Sequence, residues 1–539
     1  MSELRLVPAA GAVWLAALVC LWQGPVWAAC VVAAFVVACV LWREFGQALL
    51  VGFLGFASLV VALVRHRIAQ VWQFGDTVVA TVSGQPRLLA SDTWLTRVAV
   101  PGHPSTLAVF SREMPEGVVS GTMVAAHGTV GESKLVGVNP YVFNGSLEVV
   151  QAPSGFAAFA QHVRETFAAS VVQTVGPSSQ GLIPGMVLGD TSLQTPTEQQ
   201  AYIDTGLSHL SAVSGSNVAI VTTAAIVLTT LLGLGLHWRL VAAGAALLVF
   251  AALVGPEPSV LRASVTGLVG MVAVLTSTRA EPMHVLCLAV IGLVFVDTDL
   301  AVHYGLALSV AATAGIVALS PLLYRALAFT RWPDIVVRAL SVAIAADVVT
   351  MPIVSVMAGQ VSLVSTVANT LVAPATAPVT ILGLCAAVLA LLPGGLEVPL
   401  LLIVQPFTWW VNKVAVVGAS LPLATAPIGP LAAIVGYGWI IYGFLAGRPR
   451  LTVALAVFTL CVSNLAPPRA PVVDQHQLVA HVVDTRADVE PVPPGTQLVV
   501  VLEDGPPTPR GTKTVGGIPV VFPNRDGPVT LRTDASRSP

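Results

Sequence analysis

Charge is what this sequence has least of. Only 10% of its 539 residues are Asp, Glu, Lys or Arg, where soluble domains carry about 25%. With 55% hydrophobic residues besides, a chain this long cannot hide its apolar surface in one soluble core. It reads as a polytopic membrane protein. Cysteine is scarce too. Cys20, Cys30, Cys39, Cys287, Cys385 and Cys461 stand in apolar runs and never as CxxC, so they read as small buried hydrophobes, not as a disulfide scaffold or a zinc site. The net charge of −2 gives no global sign of a nucleic-acid binder, although a channel can be basic locally.

What is present is a series of apolar runs. Three come first, at 7–23, 25–42 and 46–64, each long enough to span a bilayer with some tilt. Arg5 precedes the first, and the two runs that follow it argue against a cleaved signal peptide. Arg65, His66 and Arg67 close the third. Over 71–153 the pattern changes to alternation broken by turn signals. Runs at 77–82, 96–100, 106–110, 122–130 and 145–150 read as strands, with turns at Ser83-Gly84, Pro101-Gly102 and Gly131-Glu132. Five short strands in this space suit a small OB-like barrel. A purely structural cap and an oligonucleotide-binding module are both open at this level, because fold does not dictate function.

Residues 155–175 read as an amphipathic helix with Phe156, Phe159, Val163 and Phe167 on one face, suited to an interface. From 218 onward the spans recur, at 218–236, 239–255, 262–277, 284–296, 301–320, 336–357, 362–391, 398–418, 428–446 and 451–466. The 362–391 segment carries Asn369, Pro374 and Pro378 and reads as a broken helix or two half-spans. The expected fold class is therefore an all-α polytopic membrane protein of about 13 spans. It carries a small external OB-like barrel and a short β-rich tail over 467–539, where 477–483, 497–502 and 518–522 look like strands and 534–539 looks disordered. Lys and Arg in the later loops place the N-terminus inside and the barrel and tail outside; Arg65 and Arg67 run against that rule.

The stretch Gly206–Val218 opens into the first of these later spans. Read as a helix, Asp204, Ser208, Ala212 and Ser216 form one narrow stripe on which a second helix can approach closely. Before it stands a glycine-rich segment, Gly181-Leu-Ile-Pro-Gly-Met-Val-Leu-Gly-Asp190, containing Pro184, Gly185 and Gly189. Together with Gly206-Leu-Ser-His-Leu-Ser-Ala-Val-Ser-Gly215, this segment resembles the signature of the ComEC family of bacterial competence proteins. Other pieces resemble that family in order: Pro258-Ser-Val-Leu-Arg-Ala263; Tyr304-Gly305-Leu-Ala-Leu-Ser309 with Ala312 and Gly315; then Pro352, Gly359, Ser362, Asn369 and Pro374. The barrel region is similar to the family's external domain.

The resemblance implies an inner-membrane channel that takes up single-stranded DNA during natural transformation. It implies the lipid bilayer, a DNA receptor, a cytoplasmic helicase-like ATPase and a separate nuclease as partners, and permits an oligomer. Two departures stand out. Ser214-Gly215 is followed by Ser216-Asn217 where many members have histidine two residues after the glycine, and Asn217 bonds but does not titrate. The tail has His476 and His481 but no HxHxDH, so the family's metallo-β-lactamase-like nuclease is not carried over. No cofactor, metal or catalytic residue is expected.

The pathway candidates are Asp190, Ser208, His209, Ser214, Asn217, Arg262, Ser309, Asp347, Asn369 and Lys413. Arg262 reads as an interfacial anchor beside Glu257 or as a cation for DNA phosphate. Asp347 and Lys413, both inside spans, suggest a pair. Asp190 caps a helix or holds a cation. Trp409 and Trp410 suit a membrane interface or base stacking. Ser208-His209 invites a hydrolase reading, but adjacent helical residues do not face each other and no Gly-x-Ser-x-Gly elbow is present. A transporter of a smaller solute, with Asp347 as coupling acid, is the other alternative.

Overall fold

The computed structural model describes residues 4–89, 93–211, 213, 215–255, 257–275, 281–327, 332–448, 450–452, 454–455, 458, 479–489, 492–493, 495–503, 512–514, 517–526, 530–531 and 537–538. It opens with three helices, α1 (Val7–Gln23), α2 (Pro25–Leu41) and α3 (Phe45–Val71). Ala9, Ala12, Val13, Ala16 and Ala17 of α1 are fully buried. Such small side chains let α3 approach closely, and the Ser58 hydroxyl of α3 donates to the Val13 carbonyl at 2.8 Å. The third run does not end at its charges. α3 continues through Arg65, His66 and Arg67 to Val71, and Arg65 and His66 find polar partners there, Arg65 on Thr298 at 3.0 Å and His66 on the Val138 carbonyl at 3.0 Å.

The barrel follows: β1 (Thr77–Val82), β2 (Arg87–Leu88), β3 (Trp94–Ala99), β4 (Thr106–Ser111), β5 (Met123–Glu132) and β6 (Tyr141–Gln151). Five of these close in the circular order β1-β5-β6-β4-β3, with β1 returning to β3. Only the β4–β6 pair is parallel within it. Alternation along the strands sends Val78, Ala80, Val82, Val98, Leu107, Val109 and Phe143 inward, each large one contributing about 1.5–3 kcal/mol. Gly131 and Glu132 are not a turn. They pair with Val142 and Tyr141 in the β5–β6 ladder, and the reversal lies beyond them.

Next come α4 (Gly155–Thr174), α5 (Pro177–Gln180), α6 (Leu182–Leu188) and α7 (Pro196–Asp204). In α4, Val163 and Phe167 are buried while Phe156 and Phe159 stay exposed and stack on each other. Every residue of α6 is buried. The rest of the membrane region is α8 (Gly215–Leu231), α9 (Leu236–Val254), α10 (Pro258–Leu275), α11 (Pro282–Val296), α12 (Tyr304–Leu327), α13 (Asp334–Ala358), α14 (Ser365–Leu389), α15 (Val398–Ser420) and α16 (Pro430–Leu445). Two short strands, β7 (Val361–Ser362) and β8 (Thr425–Ala426), pair antiparallel before α14 and after α15.

Among the described residues six helices, α3, α9, α12, α13, α14 and α15, are long and apolar enough to cross a membrane, and the molecule is a membrane protein. α1, α2, α8, α10, α11 and α16 are apolar but shorter. Six helices of spanning length therefore stand against the thirteen spans expected, and most of 451–466 lies outside the described residues. The 362–391 segment is not broken. α14 is one helix with Pro374 and Pro378 inside it. Backbone groups freed by proline are re-satisfied locally in such helices, so the two prolines need not end the span.

In the tail, β9 (Ala480–Val483), β10 (Leu498–Val501), β11 (Thr512–Lys513) and β12 (Pro519–Val521) form a sheet in the order β11-β12-β10-β9. β10 runs parallel to both neighbours, over a small core of Val483, Val489, Val499, Val501, Val520 and Phe522. Arg537–Ser538, expected to be disordered, pair antiparallel with Thr530–Leu531.

Candidate functional site: a polar seam between the helices

The stretch 206–218 is not a helix stripe. α7 ends at Asp204, and Gly206 takes φ +68°. A short 3-10 turn covers Ser208–Ser211, and α8 begins only at Gly215. The chain breaks because Gly206 sits against the start of α14. A β-carbon there would lie 2.5 Å from the Ser365 hydroxyl. Asp204 and Ser208 therefore never share a helical face. Ala212 and Ser214 lie outside the described residues.

Around this break the motifs converge. The buried Asn217 donates from Nδ2 to the Met186 carbonyl of α6 at 2.6 Å. Ser259, beside Pro258 at the start of α10, donates to the Val213 carbonyl at 2.8 Å. Gly181 and Gly185 let Gln194 pack close, and Gly189 ends α6 with φ +74°. Pro184 is buried within α6. Asp190 accepts the Ser192 amide at 3.0 Å, so it closes a local turn after α6. His303 Nδ1 accepts the Gly305 amide at 3.0 Å where α12 begins. Pro352 lies inside α13 and Pro374 inside α14.

Two polar centres result. In the first, Arg262 of α10 is buried at 9% exposure and its Nε donates to Ser309 Oγ of α12 at 2.7 Å. Its guanidinium also closes on α8, since a β-carbon at Gly215 would lie 2.9 Å from Nη2. The expected neighbour Glu257 turns instead to Arg87 of the barrel, 3.8 Å away. Among the described residues no carboxylate pairs with Arg262.

The second centre is Asp347 of α13. Its carboxylate accepts the Ser365 hydroxyl at 3.1 Å and the Thr366 hydroxyl, both from the first turn of α14. Asn369, one turn further on, donates to Ser365 at 3.2 Å. Ser362 ties this end to α7 by donating to the Asp204 carbonyl at 2.8 Å. The suggested Asp347–Lys413 pair does not form. Lys413 is exposed on α15 while Asp347 is buried against α14, so the two side chains point to different surroundings. Ser365 and Thr366 were not legible as partners, although hydroxyls at a helix start, four and three residues from Asn369, are a usable signal.

His209 bonds through Nδ1 to the Gly206 carbonyl at 3.1 Å. Its ring is accessible to solvent yet has many protein atoms around it. That surrounding lowers its pKa, opposed by the Gly206 bond. No serine among the described residues bonds to it, and Ser208 is exposed in the 3-10 turn. Trp409 and Trp410 are exposed, and Trp410 donates to the Leu371 carbonyl at 3.0 Å. Sequence reasoning missed Arg164. Buried on α4, it donates to the Leu253 and Val254 carbonyls that end α9, and burial lowers its pKa against the pull of Asp190. Its position on the face of Val163 and Phe167 was the available signal.

Residues 186–450 match the family model described as Competence protein. No curated protein and no solved structure matches the chain. Asn217, Arg262, Ser309, Asp347 and Asn369 all fall within the matched residues, and residues 186–450 carry the competence protein family's pattern, as the motifs implied.

Proposed function

We propose that this protein is an inner-membrane channel that passes single-stranded DNA into the cell during natural transformation. Transport, not catalysis, is its role. On this reading the N-terminus is cytoplasmic, and the barrel and C-terminal tail lie outside. The barrel's circular strand order with one parallel pair, β4–β6, supports an OB-like module. A DNA receptor, a helicase-like ATPase and a separate nuclease would act with it.

The observation that carries the reading is Arg262. A buried cation needs a counter-charge, and no carboxylate of the described chain supplies one. A passing phosphate would. Replacing Arg262 with Ala should lower nuclease-protected uptake of labelled DNA by roughly ten- to a hundred-fold, the worth of a charge-assisted hydrogen bond, with unchanged protein in the membrane. Undiminished import in that variant would remove Arg262 from the pathway.

Asp347 favours a second reading, a transporter of a smaller solute with this acid as the coupling group. Among the described residues, two hydroxyls but no cation accompany it. Proton- or sodium-dependent uptake in proteoliposomes, with no effect of deletion on DNA import, would select it.

A further inference from the structure

Two sets of contacts orient the barrel. The first is α3: Tyr141 donates its hydroxyl to the Gln70 carbonyl at 3.1 Å, and His66 Nδ1 meets the Val138 carbonyl at 3.0 Å. The second is the turn between α11 and α12. Asp297 accepts the Asp299 amide at 3.0 Å and closes that turn. The Asp299 carboxylate then receives two separate barrel loops. One oxygen accepts the Val138 amide at 2.7 Å, from the loop between β5 and β6. The other accepts the Ser105 hydroxyl, from the loop between β3 and β4. Gly137 leaves room for this, since a β-carbon there would lie 3.2 Å from the carboxylate.

The turn has a particular address. Glu257, just before α10, faces Arg87 of the barrel. His303, just before α12, lies in the field of Arg97, Glu257, Arg87 and Asp299. Arg262 is five residues beyond Glu257 and Ser309 six beyond His303, about 8–9 Å along each helix. The barrel is thus fastened at the N-terminal ends of the two helices whose side chains form the Arg262–Ser309 centre.

We infer that Asp299 is a positioning residue: it pins the barrel over the N-terminal ends of α10 and α12, so that a strand leaving the barrel meets Arg262 first. The inference rests on the DNA-channel reading above. A tether at α3, with only the long and exposed Arg87–Glu257 pair beside it, would leave the barrel freer to swing. One carboxylate gathering two loops fixes its orientation.

The experiment uses the full chain in its own membrane. Asp299→Ala should lower nuclease-protected DNA uptake about ten-fold, the worth of a hydrogen bond to a charged group, at equal membrane abundance. The paired variant Ser105→Cys with Asp299→Cys should form a disulfide across the same contact. It should import DNA when oxidised and lose import when reduced, reversibly in the same cells. A role in folding alone would not follow the redox state in this way. Failure of the cross-link to form overturns the pinned geometry. Wild-type import by Asp299→Ala, or import unaffected by reduction, overturns the positioning role. If the cross-link forms but the unsubstituted chain imports no DNA, the channel reading falls and the positioning role with it, leaving only the contact.

Discussion

Arg262 and Ser309 meet across two helices, Nε donating to Oγ at 2.7 Å. A guanidinium has five N–H donors, and this bond uses one. The fork that remains lies beside Gly215, at the start of α8. Three helices therefore converge on one cation whose charge the described chain leaves unbalanced.

Arg262→Lys tests whether charge or shape matters there. Lysine keeps the charge but loses the planar fork. Import should fall by less than in Arg262→Ala. Equal import by the Lys and Ala variants would show that the fork, not the charge, does the work.

Gly206→Ala should destabilise the membrane region. Alanine would be forced to hold φ +68° and to place its β-carbon 2.5 Å from Ser365 Oγ. Left-handed backbone alone costs about 1–3 kcal/mol. Gly438→Ala is the comparison, since nothing lies within 4 Å of a β-carbon there and helical Ala is favoured over Gly by roughly 0.5–1 kcal/mol. Thermal unfolding in lipid nanodiscs should order the three proteins Gly438→Ala, wild type, Gly206→Ala.

Lys413→Ala should be nearly silent, because Lys413 is exposed and makes no ion pair with Asp347. Asp347→Ala should cost about 1–3 kcal/mol by stranding the Ser365 and Thr366 hydroxyls. A double-mutant cycle read by unfolding should return a coupling below about 0.5 kcal/mol. Strong coupling would restore the pair that the sequence suggested.

His303 gives the barrel junction an acid sensitivity. Burial lowers its pKa first, and the Arg97 charge lowers it further; Glu257 and Asp299 oppose this and Arg87 adds to it. The folded value therefore lies below the unfolded one, about 6.5. Between the two values the unfolded chain binds more protons, so stability rises with pH there. The contribution is complete above the unfolded value and is lost as pH falls through it. His303→Gln should lose less melting temperature than wild type between pH 7 and pH 5. An equal loss in both proteins would assign the acid response elsewhere.

Much of the architecture was legible because each element carries its own period. The runs at 7–23 and 25–42 match α1 and α2 nearly residue for residue. The alternation at 77–82 matches β1, and the three tail runs became strands of one sheet. The errors arose where a local signal met a distant partner. Gly131-Glu132 is a turn signal overruled by pairing with Val142 and Tyr141. Pro374 and Pro378 signal a break that α14 absorbs. Arg65 and Arg67 signal an end that α3 passes through.

By itself the sequence determined that this chain lives in a membrane, that a barrel interrupts its helices, and that its motifs are those of competence proteins. Those facts follow from composition, periodicity and motif order, which are local properties of the chain. Only the tertiary structure decided which polar groups meet. A side chain's partner depends on which helices pack together, and no period along one helix encodes that. So Arg262 went to Ser309 and not to Glu257, Asp347 to two hydroxyls and not to Lys413, and Asp299 to the barrel.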